Sequence, residues 1–170
     1  MNRLDRRHGE RGQGLVEFAV VIPLFLLMVF SIFDVGRIIL ASNAVSAAAR
    51  EGARYAIVRG GSESNPCPVG PAGPDTVIPA PSASCPYPSP SKESVRDAVR
   101  RHAITAGTGL TVTVCYGLGC VGDTDAVGAT NVRGTPMTVR VTSDVTLVAG
   151  SFIGLGDYTA SGSTTMLVNH

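Results

Sequence analysis

Apolar residues fill one long stretch near the N-terminus, from Leu15 to Phe33, in which Glu17 is the one charged residue. A helix formed by this stretch would carry apolar side chains on every face, which is unusual for a helix of a small globular domain. A bilayer hydrocarbon core about 30 Å thick is crossed by ~20 helical residues. The stretch is 19 residues long and therefore predicts a transmembrane helix.

The helical pattern continues beyond this stretch. Between residues 35 and 59, apolar side chains recur at three- to four-residue steps, at Val35, Ile38, Val45, Ala49, Ala53 and Ala56. Alanine has a high helix propensity and lets neighbouring backbones approach closely. We therefore predict one continuous helix over residues 13–60. Its alanine stripe packs against the protein's own domain or against neighbouring subunits, and the pattern does not separate the two.

The rest of the chain predicts a loop and a small domain. Nine of the eleven prolines lie between Pro66 and Pro90, which predicts a Pro/Ser-rich loop over residues 61–90. A second helix is predicted to begin at Ser91, with an apolar face formed by Val95, Ala98, Val99, His102 and Ala103. Three strand-like runs follow, Leu110–Tyr116, Met137–Val148 and Thr159–Val168.

The predicted fold class is α+β, with a long N-terminal transmembrane helix followed by a small domain of one helix on an antiparallel sheet. Its parts are a basic leader (1–12), the long helix (13–60), the loop (61–90) and the αβ domain (91–170). Arginines before the apolar stretch favour a cytoplasmic N-terminus, which places the αβ domain outside. The net charge of +1 lacks the basic excess of a nucleic-acid-binding protein, so we expect no nucleic-acid partner.

All four cysteines, Cys67, Cys85, Cys115 and Cys120, follow the apolar stretch. A domain outside the cytoplasm would expose them to an oxidising compartment, where two disulfides are expected. Of the three possible pairings we favour Cys67–Cys85, which would close the proline-rich loop, together with Cys115–Cys120, which would close a hairpin. A zinc site is the alternative, although no two cysteines have the CxxC spacing.

Sequence motifs for catalysis are absent, since the chain contains no GxSxG, HExxH or P-loop. The carboxylates of GDTDAVG, Asp123 and Asp125, are of a type that binds calcium, but a single D-x-D in a glycine-rich loop more often forms a turn. We therefore expect no enzyme activity, no cofactor and no metal site.

Three passages resemble the TadE-like family of tight-adherence (Flp) type IV pilus systems: RGQGLVEFAVVIPLFLLMVF, FDVGRIILASNAVSAAAREGARYAIV and TASGSTTMLVNH. The first is the specific one, because it joins a basic leader ending in glycine to an apolar helix with an early glutamate. The resemblance implies that a prepilin peptidase cleaves between Gly12 and Gln13. Glu17 then becomes the fifth residue of the mature chain, and Phe18 becomes the sixth.

The resemblance further implies a minor pilin or pseudopilin of the bacterial cytoplasmic membrane, which takes part in pilus assembly or lies at the pilus tip. Its implied partners are the prepilin peptidase, other pilins or pseudopilins, an inner-membrane pilus platform and the lipid bilayer. Glu17 would have an assembly role, because its carboxylate can pair with the new N-terminal ammonium group of a neighbouring subunit. An opposite charge within about 4–6 Å keeps both groups ionised and offsets their desolvation in lipid.

Two other interpretations stay open. A bitopic membrane protein that does not polymerise would display the outer domain to bind a partner. A secreted enzyme or inhibitor would be released by ordinary signal cleavage, with a new N-terminus near Val45. The apolar stretch is, however, longer than the about 7–15 residues of a signal-peptide core.

Overall fold

The computed structural model describes residues 6–59, 69–71, 83, 85–86 and 91–169, with side chains from residue 12 onward. Most of the predicted loop, including Cys67, lies outside the described residues. In chain order the elements are helix α1 (Arg6–Val58), helix α2 (Glu93–His102), strand β1 (Thr108–Tyr116), strand β2 (Pro136–Val145), helix α3 (Val148–Phe152) and strand β3 (Tyr158–Leu167). The predicted α+β class, a long N-terminal helix followed by a small domain with an antiparallel sheet, is confirmed.

The chain forms two compact units. The first contains the chain up to Arg37 together with Thr146–Asp157, and the second contains Ile38–Val145 together with Tyr158–His170. Helix α1 contributes residues to both units. Its N-terminal and C-terminal parts therefore have different surroundings.

In the first unit, every residue of α1 from Gly12 to Phe33 is exposed or half-buried. The helix continues through Pro23, which cannot donate a hydrogen bond to the carbonyl group one turn earlier. The Ser31 hydroxyl donates to the Leu27 carbonyl at 2.8 Å, so this polar group is satisfied without water. Among the described residues, α1 is the one helix long and apolar enough to cross a membrane.

In the second unit, small side chains of α1 form one wall of the core. Six of them are buried, namely Ala41, Val45, Ala48, Ala49, Ala53 and Ala56. They belong to one cluster with valines of α2 and of the sheet. The alanine stripe from Ala41 to Ala56 therefore packs against the protein's own domain.

The sheet has the strand order β1-β2-β3, and both pairs are antiparallel. Alternate residues of a strand point to the same face. The register accordingly places three buried pairs in the core, namely Val112 with Val141, Val114 with Val139, and Tyr116 with Met137. The opposite face carries polar pairs such as Thr113 with Arg140. Hydrophobic alternation in β1 and β2 thus explains which face of the sheet is covered.

Helix α2 begins at Glu93, and its first backbone N–H donates to the Ser91 hydroxyl at 3.0 Å. Four of the five residues predicted for its apolar face are buried, namely Val95, Ala98, Val99 and Ala103. The prediction for His102 is wrong, because this side chain is exposed. His102 is the last residue of the helix, and the chain turns into the core only at the following alanine.

Two glycines allow the elements of the second unit to approach closely. A Cβ atom built on Gly162 of β3 would lie 2.7 Å from the backbone N and Cα of Ser46 in α1. A Cβ atom built on Gly52 would overlap a methyl group of the buried Val99. Strand β3 and helix α2 can therefore pack this closely against α1 only because these positions lack a side chain.

We expect Gly162→Ala to lower the free energy of unfolding of the second unit by about 1–3 kcal/mol, which is the usual cost of overpacking. The added methyl group meets backbone atoms, which cannot rotate away. Gly156→Ala is the matched control, because no atom lies within 4 Å of its new Cβ. Urea denaturation of the full chain in detergent, followed by circular dichroism, measures both. Equal midpoints for the two variants would contradict the close packing of β3 on α1.

Candidate functional site

The four N-terminal residues predicted to matter for function all lie on α1. Gly12, Gln13, Glu17 and Phe18 are helical and exposed. Gln13 and Glu17 are four residues apart, so they lie one turn apart on the same face of the helix. The structure therefore presents the predicted cleavage bond and the predicted assembly carboxylate on one accessible surface.

The start of α1 is rich in glycine. Gly9, Gly12 and Gly14 fall within six residues of one another, and each glycine costs a helix interior about 1 kcal/mol relative to alanine. The first turn also contains no acidic side chain to complement the helix dipole. A Cβ atom built on Gly12 would meet no atom within 4 Å. The backbone at the predicted cleavage bond is therefore open and locally easy to unwind.

The apolar side chains around Glu17 are also exposed. Leu15, Phe18 and Leu24 expose 71%, 65% and 67% of their surface. Water is an unfavourable environment for such a surface, at about 25 cal/mol for each Å². The first part of α1 thus needs either lipid or other helices around it, and Glu17 is the one charged residue between Gln13 and Phe33.

Asp34, which directly follows the apolar stretch, is a residue that sequence analysis missed. Its carboxylate is 5% exposed and accepts hydrogen bonds from the backbone N–H groups of Val148 at 3.0 Å and Ala149 at 2.7 Å. These two N–H groups belong to the first turn of α3, where no N–H has a partner within the helix. Leu147 at the N-cap position has no polar side chain to bind them. Asp34 therefore caps α3 in place of a local N-cap residue.

This cap explains a correction to the predicted strands. The second predicted strand extended to Val148, but β2 ends at Val145, and Val148 begins α3. The backbone N–H of Val148, which the predicted strand would have included, is instead bound by Asp34. One turn further along α1, the Arg37 guanidinium donates to the Thr146 hydroxyl at 3.4 Å.

The two carboxylates of GDTDAVG have a structural role in the second unit. Asp123 accepts a hydrogen bond from the Val114 N–H at 2.9 Å, and Asp125 accepts one from the Tyr116 N–H at 2.8 Å. Their i, i+2 spacing matches alternate residues of β1, which is an edge strand of the sheet. The loop therefore covers the C-terminal part of this edge, at Val114 and Tyr116.

Basic side chains of the α2 region hold that loop in place. The Lys92 ammonium lies 2.9 Å from the Asp125 carboxylate, and Arg96 pairs with Asp123 and with Glu93. No group of three or more histidine, cysteine or acidic side chains is arranged to hold a metal among the residues that the structure describes. The carboxylates considered for calcium are thus occupied by backbone N–H groups and basic side chains.

The cysteines in the described part of the chain are oxidised. Cys115 is bonded to Cys120, which is the hairpin pair favoured from the sequence. Cys85 is also in a disulfide, and Cys67, its predicted partner, lies outside the described residues.

The Tyr116 phenol lies in the core and is 1% exposed. Burial raises the pKa of Tyr116 above its ordinary value, and the negative charge of Asp125 raises it further. The phenol therefore stays neutral at physiological pH. Its role is to fill the core opposite Met137.

We expect Asp34→Ala to free the backbone of the α3 turn, because Val148 and Ala149 lose their shared acceptor. Hydrogen–deuterium exchange of these two amides should become faster in the full-length protein in detergent. Asp157→Ala, which removes an exposed carboxylate from the same unit, should leave their exchange unchanged. Protection that survives Asp34→Ala would show that α3 is held by other contacts.

Comparison with known proteins gives one family match. The family described as TadE-like protein matches residues 12–54, which is about a quarter of the chain. No curated protein and no solved structure matches the chain. The matched region begins at Gly12, includes Glu17 and Asp34, and extends into the buried alanine stripe. The resemblance found in the sequence is therefore confirmed for residues 12–54, which are similar to the TadE-like family and include most of the candidate membrane span.

Proposed function

We propose that the chain is a TadE-like minor pilin or pseudopilin that is cleaved after Gly12 and then takes part in assembly or at the tip of a Flp-type pilus. The observation that carries this proposal is the position of Glu17. It is the one charged residue in an apolar surface that is exposed on all sides of α1, and it lies five residues after Gly12.

Removal of the leader would change the electrostatics around Glu17. Cleavage creates an ammonium group at Gln13, so that Glu17 lies in the first turns of the mature helix. A negative charge there is favoured by the helix dipole by about 0.3–1 kcal/mol. This stabilisation by the dipole is smaller than the cost of placing a charged carboxylate inside a membrane, which is at least ~2.5 kcal/mol. The larger cost favours an added partner, and the ammonium group of a neighbouring copy or sister pilin supplies it.

The family match supports the position of the cleavage. It begins at Gly12, the last residue of the predicted leader, and leaves the basic residues 1–11 outside, as a removable segment would require. The glycine-rich start of α1 supports it as well, because a peptidase needs an extended backbone at the bond that it cleaves.

The proposed partners are a prepilin peptidase, other pilins or pseudopilins, the inner-membrane pilus platform and the bilayer. The basic leader favours a cytoplasmic N-terminus in the bacterial cytoplasmic membrane, with the αβ domain outside. The disulfides suit that location, because they persist in oxidising compartments. We propose a structural role in the pilus system, with no enzyme activity.

We expect the chain to begin at Gln13 after co-expression with a prepilin peptidase. Gly12→Leu should block this cleavage, because a large side chain then precedes the scissile bond. Gly14→Leu, a change of the same size beyond the bond, should still be cleaved. Mass spectrometry and N-terminal sequencing measure the outcome. An intact Met1 would favour the non-polymerising bitopic protein, and a start near Val45 would indicate a secreted protein.

We expect Glu17→Gln to keep membrane insertion but to reduce incorporation into pili at least tenfold, the effect of losing ~1.4 kcal/mol of subunit association. Glu10→Gln is the matched control, because this glutamate lies in the leader and would be absent from the mature protein. Quantitative blotting of sheared pili and of membranes measures both quantities. Normal pilus incorporation of the Glu17→Gln chain would overturn the assembly role of this carboxylate.

A further inference from the structure

The segment from Leu147 to Leu155, which contains α3, has an exposed apolar surface and no charged residue. Phe152 exposes 75% of its surface, Ile153 56% and Leu155 59%. Adjacent exposed side chains of this size are uncommon on soluble monomers and mark contact surfaces. We call Leu147–Leu155 the α3 segment.

The α3 segment is attached to the end of the candidate membrane span. Asp34, which binds its first two backbone N–H groups, directly follows Phe33, the last residue of the apolar stretch. Arg37 donates to Thr146, which immediately precedes the segment. All of these residues belong to the first unit. The hydrogen bonds of Asp34 and Arg37 therefore hold the N-terminal end of the α3 segment next to the end of the apolar stretch.

We propose that the α3 segment inserts into the interfacial layer of the bilayer leaflet where the apolar stretch ends. This inference rests on the part of the proposed function that makes α1 a membrane span. A bilayer about 40–45 Å thick has a hydrocarbon core of about 30 Å, which leaves roughly 5–8 Å of interface on each side. Helix α3, with five residues, is about 7.5 Å long at 1.5 Å per residue. The length of α3, from the end capped by Asp34 to Phe152, is thus about equal to the thickness of one interfacial layer.

Lipid is the occupant that fits this surface best. The α3 segment and the first part of α1 both carry exposed apolar side chains, and they belong to the same unit. The charge of Asp34 is compensated by two backbone N–H groups, and the exposed Asp157 lies two residues beyond the segment. Apolar side chains of helices that lie in the membrane interface are buried at the boundary between headgroups and acyl chains. The α3 segment therefore gives the protein a second membrane contact beside the span.

The absence of tryptophan from the chain permits a direct test. Three single-tryptophan variants of the full-length protein, Phe152→Trp, Phe25→Trp and Leu118→Trp, are reconstituted in phosphatidylcholine vesicles with and without brominated acyl chains. Phe25 lies within the span, and Leu118 is an exposed residue of the second unit. Phe152→Trp should lose most of its emission in brominated vesicles and be blue-shifted, as should Phe25→Trp. Leu118→Trp should keep its emission.

The outcomes separate the inference from the proposed function. Quenching of Phe25→Trp without quenching of Phe152→Trp would overturn the inserted α3 segment and leave the span intact. Absence of quenching for both would overturn the span as well. A blue-shifted but unquenched Phe152→Trp would show that protein, such as a second copy, covers the segment, and would also overturn the proposal. Quenching of Phe152→Trp alongside an unquenched Leu118→Trp would support it.

Discussion

The different surroundings of the two parts of α1 constrain the rest of the structure. Up to Phe33 its side chains are apolar and exposed, so they need a surrounding that is not water. From Ala41 to Ala56 its inward side chains are small and buried, so the sheet and α2 can approach its backbone. The continuity of α1 therefore links the membrane-competent surface to the core of the αβ domain.

Local patterns in the sequence were sufficient to predict most of the regular elements. The apolar stretch, the alanine stripe and the alternation in β1 and β2 each report a side-chain environment that repeats within a few residues. Helix α3 could not be predicted in this way, because the carboxylate that caps it lies 114 residues from Val148 in the sequence. The exposure of His102 was missed for a different reason, since helical periodicity does not indicate where the helix ends.

The same distinction applies to the candidate site. Glu17 stays a prediction, which the sequence allowed because a charged residue in an apolar stretch is conspicuous and because of its distance from Gly12. Asp34 is equally conspicuous as the first polar group after that stretch, but its partners become visible only when the chain is folded. For Asp123 and Asp125 the sequence showed two possible ligands, and the fold showed that they bind the edge of β1.

The covering of part of the β1 edge has a consequence for crowded assemblies. Identical sheets can extend without limit only when both of their edges can pair with other copies. The loop that carries Asp123 and Asp125 occupies part of one of the two edges that this growth requires. Pairing of another strand along β1 is therefore blocked where Val114 and Tyr116 donate to this loop. Covering an edge strand in this way is one of the means by which proteins avoid β-aggregation.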